Sequence, residues 1–333
     1  MQNQMKRNVI MQDAAYWISI AHMNERKDGQ PSTWKREEIN TLIDRIYHEQ
    51  KSDLQEFFSL KAEDWRHIYG VEETQLEALT EAKLQATNNA SLVENLFKQG
   101  FELIPIFSPD YSPTLLDNAG LQYAPTLLYI KGNKQLLQEK SIAIVGSRNA
   151  SANGLKFTHN VAKQATEGFK VVVSGFAKGI DRAALDNALK YIGQSIIVLP
   201  QGVLTFSTGY RAYQHQIAEG DVLVLSTFHP NSPWSVGLAM ARNPIIYALA
   251  QEIYVADSSN SGGTWAGVND GLRKGRSIYI RYPETGEKNA NKLLIEKGGI
   301  AVDINGERME SVAPQADGKE LTIELEFTPP AEP

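Results

Sequence analysis

Residues 141–181 read SIAIVGSRNASANGLKFTHNVAKQATEGFKVVVSGFAKGID, and this stretch decides the fold. Its two apolar runs, residues 142–145 and 171–174, are continuous rather than alternating, which is typical of parallel strands covered by helices on both faces. A stretch of helical character joins the two runs, and each run ends in a turn rich in glycine and serine. The pattern therefore predicts a β-α-β unit of a parallel sheet.

The same pattern continues towards the C-terminus, with further apolar runs at residues 196–199, 222–225, 252–256 and 277–280. Helical stretches separate these runs, and residues 289–297 form a last one. Strands that alternate with helices in this way build an open sheet with helices on both sides. The fold class we predict is α/β, a doubly wound and mainly parallel Rossmann-like sheet over residues 141–300.

The regions on either side of this predicted sheet have different patterns of apolar residues and prolines. Residues 1–100 are predicted to form a small helical domain, because Ile39, Leu42, Ile43 and Ile46 follow the spacing of one helix face. Further helices are predicted at residues 54–60, 63–69, 73–85 and 91–99. Residues 101–140 contain four prolines and are predicted to be a connector packed on the next domain. Residues 301–333 are predicted to be a partly disordered C-terminal extension with a strand at 321–327.

Composition excludes several classes of function. The 333 residues suffice for two domains, and a 42% hydrophobic content indicates a globular chain. Cysteine is absent, which excludes disulfides, thiolate metal sites and cysteine nucleophiles. The six histidines have no metal-ligand spacing, and no apolar run is long enough to span a membrane. We therefore expect no metal, no cofactor and no membrane contact, and a cytoplasmic location.

Charge is distributed unevenly along the chain. The net charge is −6, but residues 141–281 contain 13 Lys/Arg and 8 Asp/Glu, a net of +5. A basic middle segment between acidic ends is compatible with a polyanionic ligand at the predicted sheet.

Three loops in this basic segment have the composition of phosphate-binding loops. Loop 1 spans residues 146–151, loop 2 spans 174–181 and loop 3 spans 258–264, and each follows a predicted strand. Glycine allows close approach to the backbone, hydroxyls donate hydrogen bonds, and Arg148 and Lys178 add charge. Three such loops at one sheet edge favour phosphate binding, although each loop alone could be no more than a tight turn.

Five segments, in this order, resemble the DNA-processing protein A (DprA/Smf) family. They are DYSPTL at 110–115, APTLLYIKGN at 124–133, IAIVGSR at 142–148, SGFAKGID at 174–181 and NKLLIEKGG at 291–299. The resemblance covers residues 101–299. It implies that single-stranded DNA binds in a basic pocket of the sheet domain, that this domain forms a homodimer, and that the strand passes to a RecA-type recombinase, as in natural transformation. It also implies a protein that is not an enzyme.

The resemblance and the three loops together give the candidate strand-binding residues. They are Gly146, Ser147, Arg148, Ser174, Gly175, Lys178, Gly179, Asp181, Arg242, Asn243, Ser261, Gly262 and Gly263. Some of them also have simpler interpretations. Asp181 could complement a helix dipole, and Arg242 and Asn243 could be a surface charge and a cap where Pro244 opens a helix. Phe176 and Trp265 could stack on bases or pack against the sheet.

Three other functions stay open. Phosphoribohydrolases of the same superfamily resemble loop 3, but their chemistry needs a glutamate shortly after the glycines, and here Asp270 lies too far along the chain. We therefore expect no catalysis. A sensor of nucleotide derivatives, for example in antiphage defence, could use the same loops. A scaffold protein with vestigial loops is the third alternative.

Overall fold

A nine-stranded mixed sheet forms the centre of the computed structural model, which describes residues 2–25 and 32–309. Before the sheet come helices α1 (Gln2–Ala21), α2 (Arg36–Asp44), α3 (Leu54–Ser59), α4 (Ala62–Tyr69) and α5 (Leu76–Lys98). The chain continues through β1 (Glu102–Pro105), α6 (Pro113–Tyr123), β2 (Leu127–Lys131), β3 (Ser141–Val145), α7 (Ala152–Glu167), β4 (Val171–Ser174), α8 (Ile180–Lys190) and β5 (Ser195–Val198). It ends with α9 (Ser207–Ala212), α10 (Gln214–Glu219), β6 (Val222–Ser226), α11 (Val236–Leu249), β7 (Glu252–Val255), α12 (Gly262–Arg273), β8 (Ile278–Arg281), α13 (Asn291–Glu296) and β9 (Ile300–Val302).

The strand order explains where a ligand would bind. The order is β1-β2-β6-β5-β4-β3-β7-β8-β9, and the strands from β6 to β9 pair in parallel. From β3 the chain winds first towards β4, β5 and β6, and then crosses back to β7 and β8. The switch point therefore lies between β3 and β7, which is the place where open α/β sheets bind ligands. The predicted doubly wound α/β fold is confirmed.

All six predicted strands are present, each within one residue of its predicted ends. The segment predicted as a connector also contributes to the sheet, because β1 and β2 extend it with antiparallel pairs, β1 to β2 and β2 to β6. Fully buried Asn40 on α2 joins the helices to this segment: its amide donates to the carbonyl oxygens of Leu121 and Ala124 and accepts from the Thr126 hydroxyl. One buried cluster runs through both regions. The division into domains stays a prediction.

The N-terminal helices differ from expectation at one place. The prediction of separate helices at residues 73–85 and 91–99 was wrong, because α5 is one continuous helix. Two asparagines at 88 and 89 weaken the local helix propensity. However, α5 packs along α1 and buries Ala82, Ala86 and Val93, so that tertiary contact outweighs the weak propensity. The predicted strand at 321–327 and the predicted disorder at the end lie outside the described residues. None of the described helices is long and apolar enough to cross a membrane.

Candidate functional site

A cavity of about 400 Å³ opens at the switch point of the sheet, where loop 1 follows β3 and loop 3 follows β7. The two loops are joined directly, because the Ser147 N–H donates to the carbonyl oxygen of Asp257 at 2.9 Å. The floor and the far wall come from the start of α8 and from α11. Nine of the thirteen predicted residues line this cavity, namely Gly146, Ser147, Arg148, Asp181, Arg242, Asn243, Ser261, Gly262 and Gly263.

The other four predicted residues belong to loop 2 and do not line the cavity. Ser174 is buried, and its hydroxyl donates to the carbonyl oxygen of Ile144 at 3.0 Å. Gly175 lies against the Arg242 guanidinium, where any side chain would collide. Lys178 is exposed on the surface of the loop. Loop 2 therefore contributes only Ala177 and Asp181 to the lining, and Lys178 is its one exposed cation.

Gly179 shows why loop 2 needs glycine. Its φ of +89° lies in the left-handed region, and a Cβ at this position would collide with the carbonyl oxygens of Ser147 and Arg148. The Ile180 N–H donates to the same Ser147 carbonyl at 3.2 Å. Loop 2 thus packs closely against the backbone of loop 1 and fixes the position of Arg148.

Asp181 is buried in the lining of the cavity, at the point where loop 2 joins α8. Burial raises the pKa of its carboxyl group, whereas the Arg242 guanidinium and the N–H groups of Ala177 and Gly175 favour the ionised form. These two N–H groups therefore lie near the protein's own carboxylate. The N–H groups of loop 2 that could bind an external anion therefore favour the Asp181 carboxylate instead.

Arg242 is 3% exposed and lines the cavity from the middle of α11. Its Nη1 donates to the carbonyl oxygens of Gly175 at 2.6 Å and Val198 at 2.5 Å, which end β4 and β5. Its Nε is buried without a hydrogen-bond partner among the described residues. Burial lowers the pKa of Arg242, the neighbouring Asp181 raises it, and Arg148 lowers it. The cavity thus contains a buried cation that keeps an unused donor.

The alternative interpretation, in which Pro244 opens a helix capped by Asn243, is wrong. Helix α11 begins at Val236, where the Ser235 hydroxyl accepts from the Leu238 N–H, and Pro244 lies inside it. Because proline lacks an N–H, the carbonyl of Met240 loses its helical partner at the edge of the cavity. Arg242 and Asn243 are therefore presented by a helix wall.

The N-terminus of α12 points into the cavity and has no side-chain cap. Ser261 occupies the cap position, but its hydroxyl makes no capping hydrogen bond. Gly262 has a φ of +83°, which a residue with a side chain rarely adopts. By contrast, α7 and α11 are capped by Ser151 and Ser235. An uncapped helix start carries partial positive charge and free N–H groups, which suit an anion.

Asp257, which directly follows the apolar run at residues 252–256, was missed by the sequence analysis. Its carboxylate is buried and accepts from the N–H of Ser151 at 2.8 Å and from the Ser151 hydroxyl at 2.7 Å. Arg281 donates to it at 2.6 Å, and Glu287 also pairs with Arg281. The sequence did contain a signal for this residue, since an acidic side chain stands directly after a predicted strand and before loop 3. Asp257 positions loop 1 and caps α7 indirectly.

We expect Asp257→Asn to lower the free energy of unfolding by about 2 kcal/mol, because the buried Arg281 loses one of its two anionic partners. Urea denaturation measures this change. Asp44→Asn is the matched control, since it removes an exposed ion pair with His48 and should change stability by less than about 0.5 kcal/mol. Equal effects of the two substitutions would contradict the role given to Asp257.

The two aromatic candidates are both partly packed. The Phe176 ring meets Phe206 edge-on at 4.8 Å between centroids, and the Arg182 guanidinium lies 3.9 Å from its centre. Trp265 packs partly against the core, and Lys297 Nζ lies 5.9 Å from its ring. Packing against Phe206 and Arg182 therefore explains the position of the Phe176 ring, and no stacked nucleobase is needed to explain it.

Asp270, the carboxylate that follows loop 3 on α12, is already paired. Partial burial acts to raise the pKa of Asp270, but hydrogen bonds from Lys274 and Arg273 outweigh this effect and lower it. Lys274 lies 2.9 Å from this carboxylate. In the described ranges no cluster of three or more His, Asp or Glu side chains could hold a metal ion.

Comparisons with known proteins show the family of the chain. The family model described as DNA recombination-mediator protein A matches residues 102–312. The DNA processing protein DprA of Streptococcus pneumoniae is 34% identical over 181 residues, which cover 54% of this chain and 63% of that protein. The protein Smf of Escherichia coli is 29% identical over 214 residues, which cover 63% of this chain and 56% of that protein. The match spans less than two thirds of the length of these curated relatives.

Solved structures give the same result. The X-ray structure of DprA from Streptococcus pneumoniae superimposes with a TM-score of 0.68 at 26% identity, over 86% of this chain and 94% of that chain. DprA from Helicobacter pylori, whose structure concerns a single-stranded DNA binding mode, shares the fold with a TM-score of 0.51 at 23% identity, over 61% of this chain and 90% of that chain. With most of its sheet and all three loops inside the matched region, the chain belongs to the DNA recombination-mediator protein A (DprA/Smf) family.

Proposed function

We propose that this protein binds single-stranded DNA and holds one phosphate of the strand in the cavity between loops 1 and 3. The observation that carries the proposal is the buried guanidinium of Arg242, whose Nε has no hydrogen-bond partner among the described residues. Arg242 lines a cavity that also receives the uncapped start of α12. A buried cation with an unused donor is costly unless an anion pairs with it. Two independent anion-binding features therefore converge on one volume.

The charges around the cavity support a phosphate. Arg148 is exposed at the rim, and Arg242 lies at the wall. Asp181 is the opposing charge in the lining, so one positive charge is left over before the helix dipole is counted. An exposed rim cation can follow a flexible strand, while the buried one fixes the phosphate in place.

Family membership supports the choice of a DNA strand as the ligand. The matched relatives are named DNA processing proteins, and the Helicobacter pylori relative is described with a single-stranded DNA binding mode. As finer parts of the proposal, the protein acts as a homodimer in the cytoplasm, passes the strand to a RecA-type recombinase and has no enzymatic activity. The pathway it serves, transformation, recombination or defence, is left open.

A nucleotide-derivative sensor is the second candidate. The cavity of about 400 Å³ has one anion-binding end, and this volume also suits a single nucleotide. A sensor would bind the free nucleotide more tightly than a strand.

Fluorescence anisotropy with labelled oligo(dT) at several salt concentrations tests the proposal. We expect binding at low salt that weakens steadily with added salt, with a log–log slope of about −0.7 for each phosphate contact. A thermal-shift assay with thymidine monophosphate accompanies it. Absence of oligonucleotide binding at low salt, together with thermal stabilisation by the nucleotide, would reject the strand binder in favour of the sensor.

A further inference from the structure

A second cavity, of about 230 Å³, lies beside the phosphate cavity, between α6, α11 and α12. The two cavities share a wall, because Met240, Asn243, Tyr247 and Gly263 line both of them. Gly263 is in the first turn of α12, where the proposed phosphate binds. A group attached to that phosphate therefore lies within reach of the second cavity.

The walls of the second cavity are mostly apolar and include flat surfaces. Tyr123 of α6 and Pro244 of α11 lie on one side, and Ala266 and Gly267 of α12 face them. Helix α12 approaches α11 closely here because it carries glycine: a Cβ on Gly267 would lie 2.9 Å from the Tyr247 hydroxyl. This volume is smaller than that of most drug-sized pockets, so it suits a single ring system.

Two polar side chains in the shared wall have no hydrogen-bond partner in the part of the chain that the structure describes. The Asn243 side chain is half-buried and takes part in none of the hydrogen bonds of the described chain. Tyr247, one helical turn further along α11, is 6% exposed, and its hydroxyl is buried without a partner among the described residues. A buried hydroxyl is usually paired, so the unpaired Tyr247 hydroxyl beside a cavity indicates a missing ligand, and the half-buried Asn243 amide is free to take part in binding it.

We propose that the second cavity takes a nucleobase, the base of the nucleotide whose phosphate is bound at the start of α12. This inference rests on the proposed function and adds the ligand class of a second subsite. A base has apolar faces for Tyr123 and Pro244 and a polar edge. The Asn243 amide offers one acceptor and one donor group, which can pair with that edge.

The first test compares oligo(dT) with a strand of the same length that carries abasic tetrahydrofuran units. Both strands present the same phosphates, so phosphate contacts alone would bind them equally. We expect the abasic strand to bind roughly 5- to 150-fold more weakly, the range expected for the loss of one well-placed base. Equal affinities would overturn the base subsite and leave the phosphate site intact.

The second test fills the cavity from the surface. Ala266 is exposed and lines the cavity, so Ala266→Trp places a ring in it without a change in the core, and Ala266→Ser is the matched control. We expect Ala266→Trp to bind oligo(dT) about tenfold more weakly with an unchanged salt slope, while Ala266→Ser binds like wild type. Asn243→Ala should lose part of the preference for strands with bases even if the tryptophan variant does not fold.

The outcomes distinguish the two claims. If folded Ala266→Trp and Asn243→Ala both bind oligo(dT) like wild type while Arg148→Glu does not bind, the base subsite is wrong and strand binding stands. If wild type binds neither strand at low salt, the proposed function fails and the subsite fails with it.

Discussion

Arg148→Glu is expected to weaken the binding of oligo(dT) by about 10- to 100-fold at low salt. Arg148 lines the cavity on loop 1, close enough to Asp181 and Arg242 to affect the pKa of both. A hydrogen bond between charged groups contributes about 1.5–3 kcal/mol, and the glutamate adds repulsion of the phosphate. The affinity should fall alike for all base sequences, and the log–log salt slope should flatten by about 0.7.

Two matched charge reversals make this measurement specific. Lys190→Glu changes the charge equally, but Lys190 lies in the last turn of α8, away from the carboxyl ends of the strands, so its effect should be small. Lys178→Glu should have an intermediate effect, because Lys178 is exposed beside the cavity without lining it. Folded Arg148→Glu that binds like wild type, or like Lys190→Glu, would show that the strand lies elsewhere.

The strands of the sheet could be predicted because their signal is local. A strand buried on both faces must be apolar along its whole length, as in residues 142–145, and this shows in a few consecutive letters. Strand β1 gave no such signal, because it is partly exposed and ends at Pro105. Strand β2 is a short buried apolar run, but the prolines around it made the whole segment resemble a connector. Their place in the sheet depends on pairing with β6, which is distant in sequence.

The site was predicted in part for the same reason. Loops 1 and 3 could be placed together, since β3 and β7 are parallel neighbours and their carboxyl ends meet. The role of Arg242 could not be predicted, because its hydrogen bonds reach Gly175 and Val198 across 67 and 44 residues. The ion pair between Asp257 and Arg281 could not be predicted from the sequence separation of the two residues either. Long-range polar contacts follow from the fold and are not encoded in any single motif.

Arg242 is also expected to be essential for stability. This structural role is distinct from its proposed role in phosphate binding. Arg242→Met should lower the free energy of unfolding by about 3 kcal/mol or more, as measured by urea denaturation. The substitution removes donors from the carbonyl groups of Gly175 and Val198 and leaves Asp181 buried without its neighbouring cation.

A second substitution in the same chain tests whether the buried charges act together. Asp181→Asn removes the carboxylate that Arg242 stabilises, so we expect Arg242→Met combined with Asp181→Asn to be about 1 kcal/mol more stable than the sum of the two single effects. Strict additivity would mean that Arg242 acts only through its two carbonyl contacts.

If the double variant folds, it should still bind oligo(dT) more weakly than wild type, because the cavity has lost its buried cation while Arg148 and the start of α12 are unchanged. Wild-type affinity in that folded double variant would assign the phosphate to Arg148 and α12 alone, and would leave Arg242 with a purely structural role.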